Sequence, residues 1–235
     1  MKQYTVAILG ATGAVGTQML ECLNEQEFPV GKLKLLASAR SAGKTVEFRG
    51  EQIVIEEACP EAFEGCDIVL GAAGDDIAKE LLPEAVKRGA VVVDNSHAFR
   101  MDPEVPLVVP EINADHIRII DAQRRRLGTK RGFIAVKSNC SLQSYVPALH
   151  PLMKFGIDRA LVCTYQAISG AGKTFETGPE LIDNVIPFIG GEEEKSEQEP
   201  MKLWGHIEGN QIVNATEPNI TAQCLRVPVS AGHMA

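Results

Sequence analysis

The chain has 235 residues, 45% of them hydrophobic and 23% charged, with a formal net charge of −8 at pH 7. That composition suits a globular protein of one or two domains, and the acidic balance without a basic stripe argues against a nucleic-acid partner. No apolar run reaches the length of a membrane span and no leader precedes the first strand pattern, so a cytoplasmic protein that avoids membranes is expected.

Tyr4 to Leu9 reads as a buried strand, and Gly10-Ala11-Thr12-Gly13-Ala14-Val15-Gly16 follows at once. Val15, Met19, Leu20 and Leu23 then fall on one helical face. Strand, glycine turn and helix together form the setting of a dinucleotide phosphate loop, whose glycines let the backbone approach a pyrophosphate at the helix N-terminus. The second strand, Leu33 to Ala37, runs into Ser38-Ala39-Arg40-Ser41-Ala42-Gly43-Lys44. An acidic residue for a ribose 2′-hydroxyl is missing there. Hydroxyls and cations suit a 2′-phosphate, which favours NADP over NAD; the competing reading is a polar turn that happens to carry an arginine.

Further strands are expected at 52–55, 68–71, 90–94 and 107–109, with a helix over 77–88 despite Pro83. Alternating strands and helices predict an α/β fold with a doubly wound parallel sheet. The loops Gly71 to Gly74 and Asp94 to Ser96 should face the cofactor crevice beyond the strand ends. Arg100 is a candidate anion contact, or simply a surface arginine. Arg124-Arg125-Arg126 with Lys130 and Arg131 reads as a solvated loop or helix end.

The apolar run Gly132 to Val136 leads into Lys137-Ser138-Asn139-Cys140-Ser141. Helical patterning follows from Leu142 to Phe155, kinked or shortened by Pro147 and Pro151. Cys140 thus sits at a strand-to-helix turn, where backbone N–H groups favour a thiolate. The six cysteines show no C-x-x-C spacing and no Cys/His cluster, so free thiols and no metal are expected. Ala160 to Ile168 is strand-like and ends in the glycine loop Ser169 to Lys173, a wall of the cleft rather than a second nucleotide site. Glu180 to Phe188 reads as helical up to Pro187, and Gly190 to Glu199 on composition alone reads as a solvated acidic helix start. The domain boundary is expected at Lys137, giving 1–137 for nucleotide binding and 138–235 for catalysis.

Taken in order, several motifs resemble the aspartate-semialdehyde dehydrogenases, in particular the archaeal and fungal branch. They are Gly10 to Gly16, Ala37 to Gly43, Pro106 to Pro110, Ser138-Asn139-Cys140, Tyr165 to Gly172, Gly191 to Lys195 and Leu225 to His233. The resemblance implies an N-terminal Rossmann domain and a C-terminal α/β domain that carries the interface of a homo-oligomer, a dimer or tetramer. It implies NADP(H)-dependent conversion of L-aspartyl 4-phosphate to L-aspartate 4-semialdehyde and phosphate through a cysteine thioester, in the biosynthesis of lysine, threonine, methionine and isoleucine. Residue by residue, it makes Cys140 the nucleophile, His233 the acid–base group and Gln166 the residue that positions the acyl group. Arg226 takes the substrate carboxylate, Glu192 its ammonium, and Lys195, Arg100 and Asn139 the phosphate side. Cofactor contacts fall to Gly10, Thr12, Gly13, Ala14, Val15, Gly16, Ser38, Arg40, Ser41, Ser169 and Gly170.

Family members continue past the acid–base histidine by roughly a third of their length, so the second domain is expected to be incomplete. Two other readings stay open. A malonyl-CoA reductase of the same superfamily would keep Cys140 and His233 but take a CoA thioester, which the Glu192, Lys195 and Arg226 set disfavours. An inactive nucleotide-binding module would bind NADP(H) without turnover. A short-chain dehydrogenase or epimerase would need Tyr-x-x-x-Lys, and neither Tyr145 nor Tyr165 has it.

Overall fold

The computed structural model describes residues 2–235. In chain order its elements are β1 (Tyr4–Leu9), α1 (Ala14–Glu25), β2 (Val30–Ala37), β3 (Thr45–Phe48), β4 (Glu51–Glu57), β5 (Ile68–Gly71), α2 (Asp75–Lys87), β6 (Val91–Asp94), β7 (Leu107–Val108), α3 (Pro110–Asn113), α4 (Ile120–Leu127), β8 (Phe133–Lys137), α5 (Val146–Leu149), β9 (Arg159–Gln166), α6 (Glu192–Leu203), β10 (His206–Glu208), β11 (Gln211–Val213), β12 (Asn219–Arg226) and β13 (His233–Met234). They form two compact units, Met1–Pro106 with Ile117–Lys137, and Leu107–His116 with Ser138–Ala235.

The first unit is a sheet in the order β3-β4-β2-β1-β5-β6-β8. β1 pairs in parallel with β2 on one side and β5 on the other, and β6 continues in parallel to β8. Val6, Ala7, Ile8 and Leu9 are all buried, as expected of a central parallel strand covered on both faces. α1 buries Gly16, Leu20 and Leu23, and α2 buries Ala78, Leu81, Leu82, Ala85 and Val86, spacings of one helical face. Gly132 admits a close approach: a Cβ there would lie 2.2 Å from the Val86 carbonyl oxygen. The basic run Arg124 to Arg126 occupies the last turn of α4, where cations meet the negative end of the helix dipole.

β3 was not expected. It forms an antiparallel hairpin with β4 through Arg49 and Gly50, both with positive φ (52° and 83°), the geometry of a tight hairpin turn. The buried Gln123 of α4 completes β8: its Oε1 accepts the Ile134 N–H at 2.6 Å and its Nε2 donates to Ile134 O at 2.9 Å.

The second unit is built on a three-stranded sheet ordered β12-β9-β13, beside the hairpin β10–β11. Its residues on β12 alternate exposed and buried through Ile220, Ala222, Cys224 and Arg226. The outer edge of β12 is closed by side chains of α6: Glu197 accepts the Ala222 N–H at 3.0 Å and Glu193 the Cys224 N–H at 3.2 Å. Ile186 closes the end of the same edge by exchanging backbone hydrogen bonds with Arg226 at 2.9 and 2.8 Å. Residues 107–116 join this unit because His116 Nε2 meets Gly205 O at 3.1 Å, while Asn113 holds Leu107 O and the Val109 N–H. They lie within the span 1–137 expected for nucleotide binding, and in the structure they belong to the second unit.

Two expected helices differ from the structure. The segment 142–155 is a 3-10 turn (Ser141–Ser144), α5, and a second 3-10 stretch (His150–Phe155), because Pro147 and Pro151 each start a new piece. The segment 180–188 is only a 3-10 turn at Pro179–Leu181. Asp183 then takes φ 53°, and Pro187 biases Ile186 toward the extended form that pairs with Arg226.

Because Gln123 satisfies both backbone groups of a buried residue, Gln123→Leu should cost about 2–4 kcal/mol by leaving them unpaired. Urea unfolding of the variant against the native chain measures this.

Candidate active site

In the first unit strand order reverses about β1, and the carboxyl ends of strands at such a point are the usual ligand position in such sheets. Gly10 has φ +87°, and a Cβ there would lie 2.8 Å from the Ala72 carbonyl. Gly16 is tighter, its notional Cβ 2.3 Å from Gly10 O. Thr12, Gly13, Ala14 and Val15 are exposed, and the start of α1 has no side-chain cap, so its first-turn N–H groups are available to an anion. The Gly10 N–H bonds to Leu36 O at 2.8 Å, which brings the end of β2 alongside. There Ser38 and Arg40 are exposed and Ser41 half-buried, in a turn closed by the Ser41 N–H to Ser38 O at 2.8 Å. This loop fits a dinucleotide phosphate, and the cradle would be filled by any side chain at Gly10 or Gly16.

The loop after β6 is held by Asp94, whose Oδ2 accepts the Ser96 hydroxyl at 2.5 Å and whose Oδ1 accepts the Ser96 N–H at 3.0 Å. Burial pushes the Asp94 carboxyl up despite these bonds and the nearby Arg100 charge. Arg100 is buried rather than superficial and donates from Nη2 to Asn95 O at 2.8 Å.

In the second unit one row of the sheet gathers three of the expected residues. Arg226 of β12 lies opposite Gln166 of β9, and Gln166 lies opposite His233 of β13. Residues directly across neighbouring strands project to the same face. Gln166 is 1% exposed and Arg226 6%. Arg226 Nη1 donates to Ala167 O at 2.8 Å. His233 Nδ1 lies 2.5 Å from Gly232 O and 3.3 Å from the Ala167 nitrogen, so it faces both an acceptor and a donor, and Nε2 points toward Gly170. Gly170 closes over this row. A Cβ there would lie 2.7 Å from Arg226 Nη1 and 2.9 Å from His233 Nε2, so only glycine fits without displacing them.

Glu192, at the start of α6, ties the row to the cysteine corner. Its Oε2 accepts from Gln166 Nε2 at 3.2 Å and from Asn139 Nδ2 at 3.0 Å, and its Oε1 accepts from Lys195 at 2.9 Å. Asn139 Oδ1 in turn accepts the Ser141 N–H at 2.9 Å and the Ser141 hydroxyl at 2.7 Å. Cys140 is exposed between these two fixed residues, directly before the 3-10 turn at Ser141–Ser144. Burial would raise the Glu192 carboxyl, but the bonds from Lys195 and Asn139, with the Lys195 charge and Gln166, outweigh it and hold it below the usual range. Arg226 is lowered by its burial, opposed chiefly by the negative charge of Glu192. An exposed thiol, an imidazole, a guanidinium and a half-buried carboxylate so arranged suit nucleophilic attack on the acyl carbon of an amino acid derivative.

The acidic stretch Glu192 to Glu199 is therefore not a solvated helix start. Glu192 is half-buried, and Ser196, Glu199 and Lys202 are buried. Sequence reasoning also missed Glu199, whose Oε2 accepts the Asn139 N–H at 2.7 Å. The available signal was the spacing Glu192, Ser196, Glu199, one face of a helix that reaches the buried Leu203. All six cysteines are free, and among the described residues no group of three metal-ligating side chains occurs and no helix is long and apolar enough to cross a membrane.

Two family models match successive parts of the chain. Residues 5–120 match the family model "Semialdehyde dehydrogenase, NAD binding domain", and residues 149–235 match "Semialdehyde dehydrogenase, dimerisation domain". The chain is 40% identical to the aspartate-semialdehyde dehydrogenase of Bacillus subtilis over 97% of its own length and 70% of the relative's. It superposes on the aspartate-semialdehyde dehydrogenase of Candida albicans, solved with NADP, with a TM-score of 0.85 and 36% identity, covering 98% of this chain and 69% of that one. Aspartate-semialdehyde dehydrogenase II of Vibrio cholerae, solved as a complex with ASA, gives 0.81 at 35% identity, covering 99% of this chain and 73% of that one.

The depressed Glu192 carboxyl gives a signed pH dependence. A carboxyl lowered on folding stabilises the chain fully above its unfolded value of about 4.3, and that stabilisation is lost as pH falls through the folded value. Glu192→Gln should therefore cost about 1–3 kcal/mol at pH 7. The gap to the native chain in urea midpoint should shrink as pH is lowered from 5 to 3.

Proposed function

The chain belongs to the aspartate-semialdehyde dehydrogenase family, and from that premise we propose that it interconverts L-aspartyl 4-phosphate and L-aspartate 4-semialdehyde with NADP(H). The observation that carries the reading is the row Arg226, Gln166, His233, joined to the Cys140 corner through one carboxylate, Glu192. In the reductive direction Cys140 Sγ attacks the acyl carbon, the His233 imidazole takes the thiol proton, and phosphate leaves, giving a thioester on Cys140. Arg226 holds the substrate α-carboxylate through the guanidinium edge not spent on Ala167 O, a planar fork that a lysine would not supply. Glu192 takes the substrate ammonium, an interaction for which an acyl-CoA substrate has no counterpart. Gln166 positions the acyl oxygen, and Lys195, Asn139 and Arg100 serve the phosphate.

Gly10, Thr12, Gly13, Ala14, Val15 and Gly16 would hold the cofactor pyrophosphate, and Ser38, Arg40 and Ser41 its 2′-phosphate, with Ser169 and Gly170 at its reactive end. NADPH, when bound, supplies the hydride that reduces the thioester. The place of the product in lysine, threonine, methionine and isoleucine biosynthesis follows from the family. Assembly into a homo-oligomer is supported by the outer face of β12-β9-β13. There Leu161 is 86% exposed, and Tyr165, Leu225 and Met234 lie in adjacent register positions.

The test is phosphate-dependent reduction of NADP by aspartate semialdehyde. The native chain should turn over, and Cys140→Ser should lose at least 10³-fold in kcat, of the order seen when a covalent nucleophile is removed. NADPH binding without turnover in the native chain would favour the inactive nucleotide-binding reading.

A further inference from the structure

The chemistry assigned to Cys140 demands that its thiol be held in one place, yet the residue sits on a turn and is exposed. A 3-10 turn gives little rigidity of its own, since its hydrogen bonds are poorly aligned. The corner is held instead from outside, by the inward face of α6. Glu192 takes the Asn139 side-chain amide, and the Ser196 carbonyl accepts the Tyr145 hydroxyl at 2.8 Å. Glu199 takes the backbone N–H of Asn139 at 2.7 Å. These three residues follow i, i+4, i+7 spacing, so one helical stripe grips the segment on both sides of Cys140.

Glu199 is the member of the stripe whose carboxyl group reaches the backbone next to Cys140. It is 0% exposed, and a polar group in such a place persists only where hydrogen bonds replace its hydration. A short bond from a peptide N–H to a carboxylate is charge-assisted and stronger than the carbonyl bond a loop would ordinarily make. Its donor is the amide of the residue that immediately precedes the nucleophile. With that amide held by Glu199 and its side chain shared between Glu192 and Ser141, Asn139 has its position and its flip fixed, and the peptide that enters Cys140 has little freedom left.

We propose that Glu199 is a positioning residue for the Cys140 nucleophile, acting through the Asn139 backbone rather than touching substrate. The proposal rests on the reading of Cys140 as nucleophile. It separates Glu199 from its helix neighbours Glu193 and Glu197, whose carboxylates take N–H groups of the β12 edge instead.

The experiment compares Glu199→Gln with Glu197→Gln in the full chain, reading the iodoacetamide alkylation rate of Cys140 by mass spectrometry alongside kcat and KM. Glu199→Gln should slow alkylation of Cys140 about tenfold or more and lower kcat similarly, with the KM for NADP unchanged. Glu197→Gln, which removes an equal charge from the same helix, should leave the alkylation rate within about twofold. Native alkylation in Glu199→Gln, or equal slowing in both variants, overturns the proposal. Should Glu199→Gln fail to fold, hydrogen exchange of the Asn139 amide in the native chain decides. Strong protection supports the latch, and exchange as fast as at exposed Ser169 overturns it. Alkylation and exchange need no turnover, so failure of the dehydrogenase reading would be seen separately, as NADPH binding without turnover in the native chain.

Discussion

The Glu192 carboxylate is the acceptor on which the second unit's site depends. Three donors from three separate segments converge on it: Asn139 beside the cysteine, Gln166 at the end of β9, and Lys195 on its own helix. Burying a carboxylate costs several kcal/mol, and only a full set of donors offsets that cost. The same requirement that keeps Glu192 ionised therefore fixes the orientation of Asn139 and Gln166. Arg226 is held within the field of this charge by backbone pairing, because β12 and β9 run parallel in register to their ends.

β9 gives the site its geometry by pairing in parallel with β12 and antiparallel with β13 at one residue, Gln166. Side chains far apart in the chain, Arg226 and His233 among them, thereby become neighbours on one face. The first unit solves a different problem. Its strands are buried on both faces, so the exposed backbone at their ends is the part left for a ligand, and close approach there is secured by missing side chains at Gly10, Gly16 and Gly71. A Cβ at Gly71 would lie 2.5 Å from Asp94 Oδ1, which binds that loop to the next.

The first unit was largely legible in the sequence because its signals are local. Continuous apolar runs such as Val6 to Leu9 and Val91 to Val93, punctuated by glycine, mark parallel strands without any knowledge of partners. β3 escaped because Arg49-Gly50 is not among the common hairpin dipeptides. The β10–β11 hairpin escaped although Gly209-Asn210 is such a signal. In the second unit the residue types of the site could be named from motifs, but their row could not, since register between β9, β12 and β13 is set by long-range pairing. The acidic start of α6 misled for a physical reason. Hydropathy cannot distinguish carboxylates facing water from carboxylates facing backbone N–H groups, and Glu193, Glu197 and Glu199 all do the latter. The failed helix at 180–188 has a similar origin, because Ile186 gains a β-bridge to Arg226 that no local pattern foretells.

The central claim is that these contacts make Cys140 the reactive thiol of the chain. Cys22 is also exposed and free, and it serves as the internal reference. The direct measurement is the relative rate of iodoacetamide labelling of the six cysteines in the native chain at neutral pH, resolved by peptide mass spectrometry. The account predicts that Cys140 is labelled first, well ahead of Cys22. Labelling of Cys140 no faster than Cys22 would contradict it, leaving an exposed but unactivated thiol where the nucleophile should be.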